Sequence, residues 1–358
     1  MNLKNLILTL LLLTVSTQAQ TLSGATRKKL DNDIRYLLSQ HRAYGEFSVA
    51  VVDSDGVVSQ VNGDKPFPLA SVFKLPLLLA ILSDQEKGKY PGLNTSLLIT
   101  TSDQCIGSGH LQKRPVGSSV TVHEAAKLMM SVSDNTATDL LFRKFGTDSL
   151  DRWLGSLGLN SSQIILTNRQ AWLLSLGKVP GWGKTTPEAR IANWSKLDRQ
   201  GRLKLASAIE RNASTMDLRK FQAIENASLG TQSEYQDNQL AARLDNQMSA
   251  LDLARLLIKL DEGSLLSTRQ TEVAFQILAG QKYHTRLPSK LAASTQIYHK
   301  TGTLSGVRND AGLLYTKNRK DGVAVVFLSR FLKPGAGSKA DRLAGQVAKL
   351  VESAYLKG

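Results

Sequence analysis

The sequence predicts a mixed α/β fold, in which an α/β sandwich lobe formed by both ends of the chain carries an inserted all-helical lobe. Two observations lead to this prediction. Strand-like runs lie near the two ends, within residues 46–61 and 296–329, whereas residues 85–290 have mostly helical periodicity. Amphipathic helices are expected at both ends, so the sheet should be flanked by helices.

The first half of the sandwich lobe begins with a predicted amphipathic helix over residues 24–43. Strands over 46–52 and 57–61 follow. The turn Asp53-Ser54-Asp55-Gly56 joins them as in a hairpin, which makes this pair antiparallel. An apolar run from Leu75 to Leu82 then predicts a buried helix, with a proline tolerated in its first turn.

The same kinds of pattern predict helices and strands in the middle and at the end of the chain. Residues 122–132 have apolar positions at helical spacing. Strands are predicted at 296–300, 311–315 and 323–329, and a terminal amphipathic helix at 340–355. The first and last segments therefore share one sheet.

The first 19 residues have the pattern of a secretory signal peptide. Lys4 precedes the apolar stretch from Leu6 to Val15, and small polar residues lead to a cleavage site after Ala19. The apolar stretch is too short for a comfortable transmembrane span. A lipoprotein anchor would need a cysteine at the cleavage site, and the single cysteine is Cys105. We therefore expect residues 20–358 to be periplasmic or secreted, without a stable membrane anchor.

Charge and composition exclude some functions. The formal net charge is +15, but the basic residues are scattered and no nucleic-acid module is recognisable, so anionic envelope polymers or substrates are the simpler partners.

One cysteine rules out an intramolecular disulfide, and we expect it to be a small buried residue. The five histidines have no zinc spacing, so no metal and no cofactor is expected. We expect a monomer.

The tetrapeptide Ser71-Val72-Phe73-Lys74 is the candidate catalytic motif. A spacing of three places Ser71 and Lys74 on one helical face, where a lysine with a lowered pKa can take the proton of the hydroxyl. The motif alone is weak evidence, because Ser175 and Lys178 repeat the spacing.

Two further motifs accompany the first copy. Ser133-Asp134-Asn135 lies 62 residues after Ser71, and Lys300-Thr301-Gly302 follows near the last strands. In order and spacing the three motifs resemble the active-site set of class A β-lactamases and related penicillin-binding proteins. The resemblance covers nearly all of the mature chain. It implies a single catalytic domain at 20–358, with the α/β lobe at 24–70 and 291–358 and the helical lobe at 71–290.

The resemblance also implies roles for single residues. Ser71 would attack the carbonyl of a β-lactam or of a D-Ala-D-Ala peptide, with Lys74 as base and Ser133 passing the proton to the departing nitrogen. Lys300 would keep the cleft positive and lower the pKa of the neighbouring lysine. The remaining positions would bind substrate. Asn135 would bind its side-chain amide, and Thr301 and Arg308 its carboxylate. Gly302 and Thr303 complete the substrate-binding stretch after Thr301, and the N–H groups of Ser71 and Thr303 would bind the oxyanion.

The deacylating base is harder to assign. The family has Arg-x-Glu-x-x-Leu-Asn beneath the site, but the matching segment here, which begins at Arg169, has Ala171 where the glutamate should be. Counting backward from the helix near Ser249 instead selects Glu234, four residues before an asparagine. Glu188 and Glu225 are weaker candidates.

Between these two alignments, residues 176–235 form a predicted long loop insertion. Three functions remain open at this point. The protein is a β-lactamase-like serine hydrolase, a D-alanyl-D-alanine carboxypeptidase or transpeptidase acting on peptidoglycan peptides, or a sensor that is acylated and stops. We favour the first, because the motifs follow the β-lactamase order and spacing.

Overall fold

The computed structural model of the protein describes residues 21–317 and 319–357, so the predicted signal peptide lies outside the described residues. The strands found there are β1 (Glu46–Asp53), β2 (Gly56–Val61), β3 (Pro66–Pro68), β4 (Ser96–Leu98), β5 (Ser119–Thr121), β6 (Gln247–Ser249), β7 (Gln296–Leu304), β8 (Val307–Tyr315) and β9 (Val323–Arg330). The α-helices found there are α1 (Gly24–Ser39), α2 (Lys74–Glu86), α3 (Val122–Ser131), α4 (Asn135–Phe145), α5 (Ser149–Ser156), α6 (Asn168–Ser175), α7 (Pro187–Ser195), α8 (Arg199–Ala213), α9 (Leu218–Ser228), α10 (Glu234–Leu244), α11 (Ala250–Asp261), α12 (Thr268–Leu278) and α13 (Gly337–Lys357).

Both ends of the chain build one antiparallel sheet, as predicted. Its strand order is β2-β1-β9-β8-β7. The β1–β9 pair therefore joins the N-terminal hairpin β1–β2 to the C-terminal strands β7, β8 and β9. Val49 lies opposite Phe327 in that pair, and Lys300 lies opposite Ala311 at the β7 edge. The mixed α/β fold class is thereby confirmed.

Alternation along the central strand separates the two faces of the sheet. Val325 lies in an apolar cluster with residues of α1 and α13, such as Ile34 and Val347. Its neighbour Val326 points to the other face and joins the main core of the helical lobe, which includes Leu257 of α11. Buried apolar side chains on both faces hold the sheet between two helical layers.

Helix α2 begins at Lys74 and is buried over its first ten residues, because the helical lobe surrounds it. Pro76 lies in its first turn, where the missing N–H costs no hydrogen bond. The predicted buried helix is therefore present and slightly longer than predicted.

The segment 176–235 is largely helical rather than a long loop. Helices α7, α8 and α9 lie within it, and each begins at a side-chain cap: Thr186, Asp198 and Asp217. Apolar side chains of these helices bury together with α6 and α10 in a third cluster, which includes Trp194 and Phe221. The buried Cys105 belongs to the same cluster, as expected for a small apolar residue. In the described part of the chain no helix is long and apolar enough to cross a bilayer.

Candidate active site

Ser71 lies in a short 3₁₀ turn, Ala70–Phe73, that leads directly into α2. Ala70 has φ of 47°, an uncommon conformation for a residue with a side chain. Its N–H donates to the Asp245 carboxylate at 2.6 Å, which holds the turn. Burial raises the pKa of Asp245 to about 7. Both Ser71 and Asp245 line a cavity of about 650 Å³ between the sheet and the helices.

Lys74 is fully buried beneath this cavity. Its ammonium group donates to the Ser133 carbonyl at 2.7 Å, the Ser133 hydroxyl at 3.1 Å and Asn135 Oδ1 at 2.8 Å. Burial lowers the pKa of Lys74 to about 8, against the opposing charges of Asp139 and Asp134. A neutral amine that can accept a proton is therefore accessible close to neutral pH.

The second Ser-x-x-Lys copy has a different environment. Ser175 ends α6 and lines the same cavity, but Lys178 is exposed to solvent. An exposed lysine lacks the desolvation that makes an amine a base near neutral pH. The geometry therefore favours Ser71 and Lys74 over the second pair.

Ser133 occupies a strained loop between α3 and α4, with φ of 59°. The next residue, Asp134, caps α4 by accepting from the Ala137 N–H at 2.9 Å. Its second oxygen accepts from the N–H groups of His110 and Leu111. These bonds fix the loop so that the Ser133 hydroxyl meets both lysines.

Lys300 reaches the same hydroxyl from strand β7. Its ammonium group lies 3.1 Å from Ser133 Oγ and 2.7 Å from the Thr301 carbonyl. Burial lowers the pKa of Lys300 well below its usual range, and repulsion from Lys74 lowers it further. The sequence analysis expected Lys300 to lower the pKa of Lys74, but burial is what lowers it, and the repulsion between the two lysines acts on the pKa of Lys300 instead.

Gly302 lets strand β7 approach the nucleophile turn. A Cβ at this position would lie 2.5 Å from the Leu69 carbonyl oxygen and 3.1 Å from the Ser71 nitrogen. The absence of a side chain therefore brings the backbone of Ser71 next to the strand that continues into Thr303. Thr301 and Thr303 both line the cavity.

An arginine that the sequence analysis missed lines the cavity near these threonines. Arg286 donates to Thr303 Oγ1 at 2.6 Å and to the Gly302 and Asn309 carbonyls at 2.8 and 2.7 Å. An ion pair with Asp341 at 2.7 Å fixes the other side of its guanidinium.

Arg308, which the resemblance selects, lies elsewhere. Its guanidinium donates to the Leu304 and Val307 carbonyls of its own hairpin, and it is absent from the cavity wall. Since side chains alternate along a strand, the register of β8 directs Arg308 to other contacts. Arg286 sits in a turn without any local pattern, so nothing in the sequence singled it out.

The residues considered for deacylation are divided between the cavity and the surface. Ala171 of α6 lines the cavity, at the place that the forward alignment gives to the glutamate. Glu234 is exposed at the first position of α10 and does not line it. A carboxylate there favours the positive end of the helix dipole, which accounts for its position. Glu188, also exposed, accepts from Gln236, whereas Glu225 lines the cavity.

A serine three residues before a buried lysine, with a second serine that contacts this lysine and another one, is an arrangement typical of serine hydrolases of the β-lactamase type. The chain belongs to the β-lactamase enzyme family, whose model matches residues 29–355.

Curated relatives match over part of their length. The chain is 32% identical to β-lactamase VEB-1 of Pseudomonas aeruginosa over 100 residues, which cover 27% of this chain and 33% of that protein. It is 27% identical to β-lactamase CARB-4 of the same organism over 179 residues, 48% of this chain and 60% of that protein. The chain thus spans between a third and 60% of the length of these two relatives.

Solved structures share the fold over almost the whole chain. A PBP-A mutant, solved as its acyl-enzyme complex with penicillin G, has a TM-score of 0.64 at 22% identity, covering 92% of this chain and 97% of that one. An ancestral class A β-lactamase of Gram-negative bacteria has a TM-score of 0.63 at 22% identity, covering 91% and 99%. At these identities the likeness establishes the fold.

Proposed function

We propose that the protein is an exported serine hydrolase in which Ser71 attacks the amide carbonyl of a β-lactam, forms an acyl-enzyme and releases the opened product by hydrolysis. One observation carries this proposal: Lys74, fully buried at the start of α2 and three residues after Ser71, is hydrogen-bonded to the Ser133 hydroxyl that Lys300 also contacts. Membership of the β-lactamase enzyme family supports the same substrate class.

Acylation needs a proton to move from the nucleophile to the leaving nitrogen. Neutral Lys74 takes the proton of the Ser71 hydroxyl as the new C–O bond forms. The Ser133 hydroxyl accepts a hydrogen bond from Lys74, so it can pass a proton to the lactam nitrogen as the C–N bond breaks and take one back from Lys74. Lys300 holds that hydroxyl in place from the other side.

Two further sets of residues can bind the negatively charged oxygens of a β-lactam substrate, namely its oxyanion and its carboxylate. The N–H groups of Ser71 and Thr303 are the proposed oxyanion hole, and the close approach of Gly302 to the Ser71 nitrogen supports this assignment. Arg286 and Thr301 are the proposed carboxylate site, because both line the cavity and Arg286 is held rigidly by four partners. In this assignment Arg286 replaces Arg308.

A second candidate function follows from the residues that are available to catalyse deacylation. Ala171 brings no carboxylate to the cavity, and Glu234 lies outside it. An acyl-enzyme that hydrolyses slowly and reacts with an amine acceptor is what a penicillin-binding peptidase or transpeptidase acting on peptidoglycan peptides would form.

Intact-mass spectrometry of the mature protein with benzylpenicillin separates these functions. A transient adduct with released product supports the hydrolase, and a persistent adduct moves the assignment to a penicillin-binding peptidase or sensor. Ser71→Ala is expected to abolish the adduct. Adduct formation in this variant at the wild-type rate would overturn the mechanism, provided that both proteins have the same melting temperature.

A further inference from the structure

We propose that Asp245 is the general base that activates water for deacylation, the role for which neither Ala171 nor Glu234 is suited. The inference rests on the function proposed above and adds a catalytic residue to it. In the part of the chain that the structure describes, three acidic side chains line the cavity, namely Glu225, Asp237 and Asp245. Of these three, Asp245 is the one that is hydrogen-bonded to the turn that carries the nucleophile.

The position of Asp245 is fixed relative to Ser71. Its Oδ2 atom accepts the N–H of Ala70 at 2.6 Å, and Ala70 is the residue directly before the nucleophile. Consecutive Cα atoms are about 3.8 Å apart, so the carboxylate is held close to the acyl group that Ser71 would carry. A general base can act over such a distance through the water molecule that it activates.

The carboxylate of Asp245 can accept a further hydrogen bond from water. The N–H groups of Ala70, Asn246 and Leu69 favour its charged form, and no lysine or arginine among the described residues forms an ion pair with it. A carboxylate offers about four acceptor sites, so three backbone donors leave room for a water. Asp245 is also partly exposed, and the cavity that it lines gives water access to it.

The basic side chain at the start of the segment that contains Ala171 does not neutralise this carboxylate. Arg169 donates to the carbonyls of Gln104 and Ala213, at 2.6 and 3.1 Å. Burial raises the pKa of Asp245 to about 7, against the effect of its backbone donors. A base with a pKa near the working pH is sufficiently deprotonated and still takes a proton readily.

The proposed step is an ordinary ester hydrolysis. The Asp245 carboxylate takes one proton from a water molecule as the water oxygen bonds to the acyl carbon, and the N–H groups of Ser71 and Thr303 would hold the oxyanion. When the bond between this carbon and Ser71 Oγ breaks, the proton held by Asp245 passes to Oγ. The products are the opened acid, the free serine hydroxyl and the regenerated carboxylate.

Asp245→Asn tests the base without removing the contact to the turn, because the amide oxygen can still accept the Ala70 N–H. We expect deacylation of the benzylpenicillin adduct to slow by about 100-fold or more, as for loss of general-base catalysis, with acylation near the wild-type rate. The wild-type deacylation rate should rise through about pH 7, and this rise should be absent in the variant. Time-resolved intact-mass spectrometry measures both steps.

Two controls separate base catalysis from a structural role. Hydroxylamine attacks an ester as a neutral nucleophile that needs no base, so it should release the adduct from Asp245→Asn as fast as from the wild type. Asp151 is an aspartate outside the cavity that also accepts a backbone N–H, that of Ile164 at 2.8 Å. Asp151→Asn should leave both rates unchanged.

The outcomes separate the two proposals. A transient adduct whose lifetime is the same in the wild type and in Asp245→Asn would overturn the base role and leave the proposed function standing. Equal slowing of hydrolysis and of release by hydroxylamine would do the same, since it would mean that Asp245 acts only on the structure of the turn. A persistent adduct in the wild type, or no adduct with benzylpenicillin, would overturn the proposed function and the base role with it.

Discussion

Lys74 and Lys300 donate to one and the same oxygen atom, the hydroxyl of Ser133, each at 3.1 Å. The two lysines come from α2 and β7, and both are completely buried. Two ammonium groups at this separation repel each other, so the site favours a state in which one of them is neutral. The site therefore favours a neutral amine, which can accept a proton, before any substrate binds.

The rate of acylation should rise with pH. Lys74 acts as base only when neutral, and its pKa of about 8 lies below the usual value because it is buried. The second-order acylation rate constant is therefore expected to increase from about pH 6 and to level off above about pH 8. A stopped-flow pH profile with a chromogenic cephalosporin measures this, and circular dichroism controls for unfolding. A flat profile would exclude Lys74 as the base.

Ala171→Glu should shorten the life of the acyl-enzyme. The substitution places a carboxylate on the cavity wall that Ser71 shares, where it can activate a water molecule. General-base catalysis contributes roughly 100- to 10,000-fold, so a gain of at least about 10-fold in deacylation is expected even with imperfect placement. Mass spectrometry of the adduct over time measures the rate. Ala171→Gln, equal in size but unable to take the proton, is the matched control, and equal gains in both variants would refute a base role.

Arg286→Ala should weaken acylation by substrates that carry a carboxylate. A lost charged hydrogen bond costs about 1.5–3 kcal/mol, or roughly 10- to 100-fold in the acylation rate constant. The penicillin methyl ester should lose much less, because it has no anion to bind. Arg308→Ala, which removes a guanidinium outside the cavity, is the comparison. A loss of the same size on acid and ester would mean that Arg286 acts only through the structure of β7.

Gly302→Ala should destabilise the protein and slow acylation together. The new Cβ would lie 2.5 Å from the Leu69 carbonyl, so β7 and the nucleophile turn must separate. Overpacking of this kind costs about 1–3 kcal/mol, which urea denaturation measures. Gly24→Ala, where a Cβ meets nothing within 4 Å, is the control. Wild-type stability and acylation in Gly302→Ala would show that the close approach is dispensable.

The sequence predicted the sheet and the catalytic motifs well because both are local patterns. The strands at 46–52 and 323–329 are mostly apolar, and the structure buries both, except for Glu46, at the centre of the sheet. Ser71, Lys74, Ser133 and Lys300 were found through short motifs, and the structure brings the last three within hydrogen-bond distance.

The parts that sequence reasoning missed depend on distant contacts. Arg286 belongs to the cavity because of Asp341 and Thr303, which are 55 and 17 residues away in the chain. Glu234 was selected by counting backward from the helix near Ser249 and by its spacing from Asn238, but that asparagine is hydrogen-bonded to Leu332 and Ser305. Tertiary packing, not spacing, decides which side of α10 faces the cavity.

The pairing of β1 with β9 also links the catalytic residues to the completion of the sheet. Lys300 enters the site on a strand that joins the sheet through β8 and β9, and Lys74 begins the helix that follows the β1–β2 hairpin. The burial that lowers the pKa of both lysines therefore needs both ends of the chain to be in place. A chain in which the two ends have not paired would keep Lys74 in water, where an amine is protonated at neutral pH.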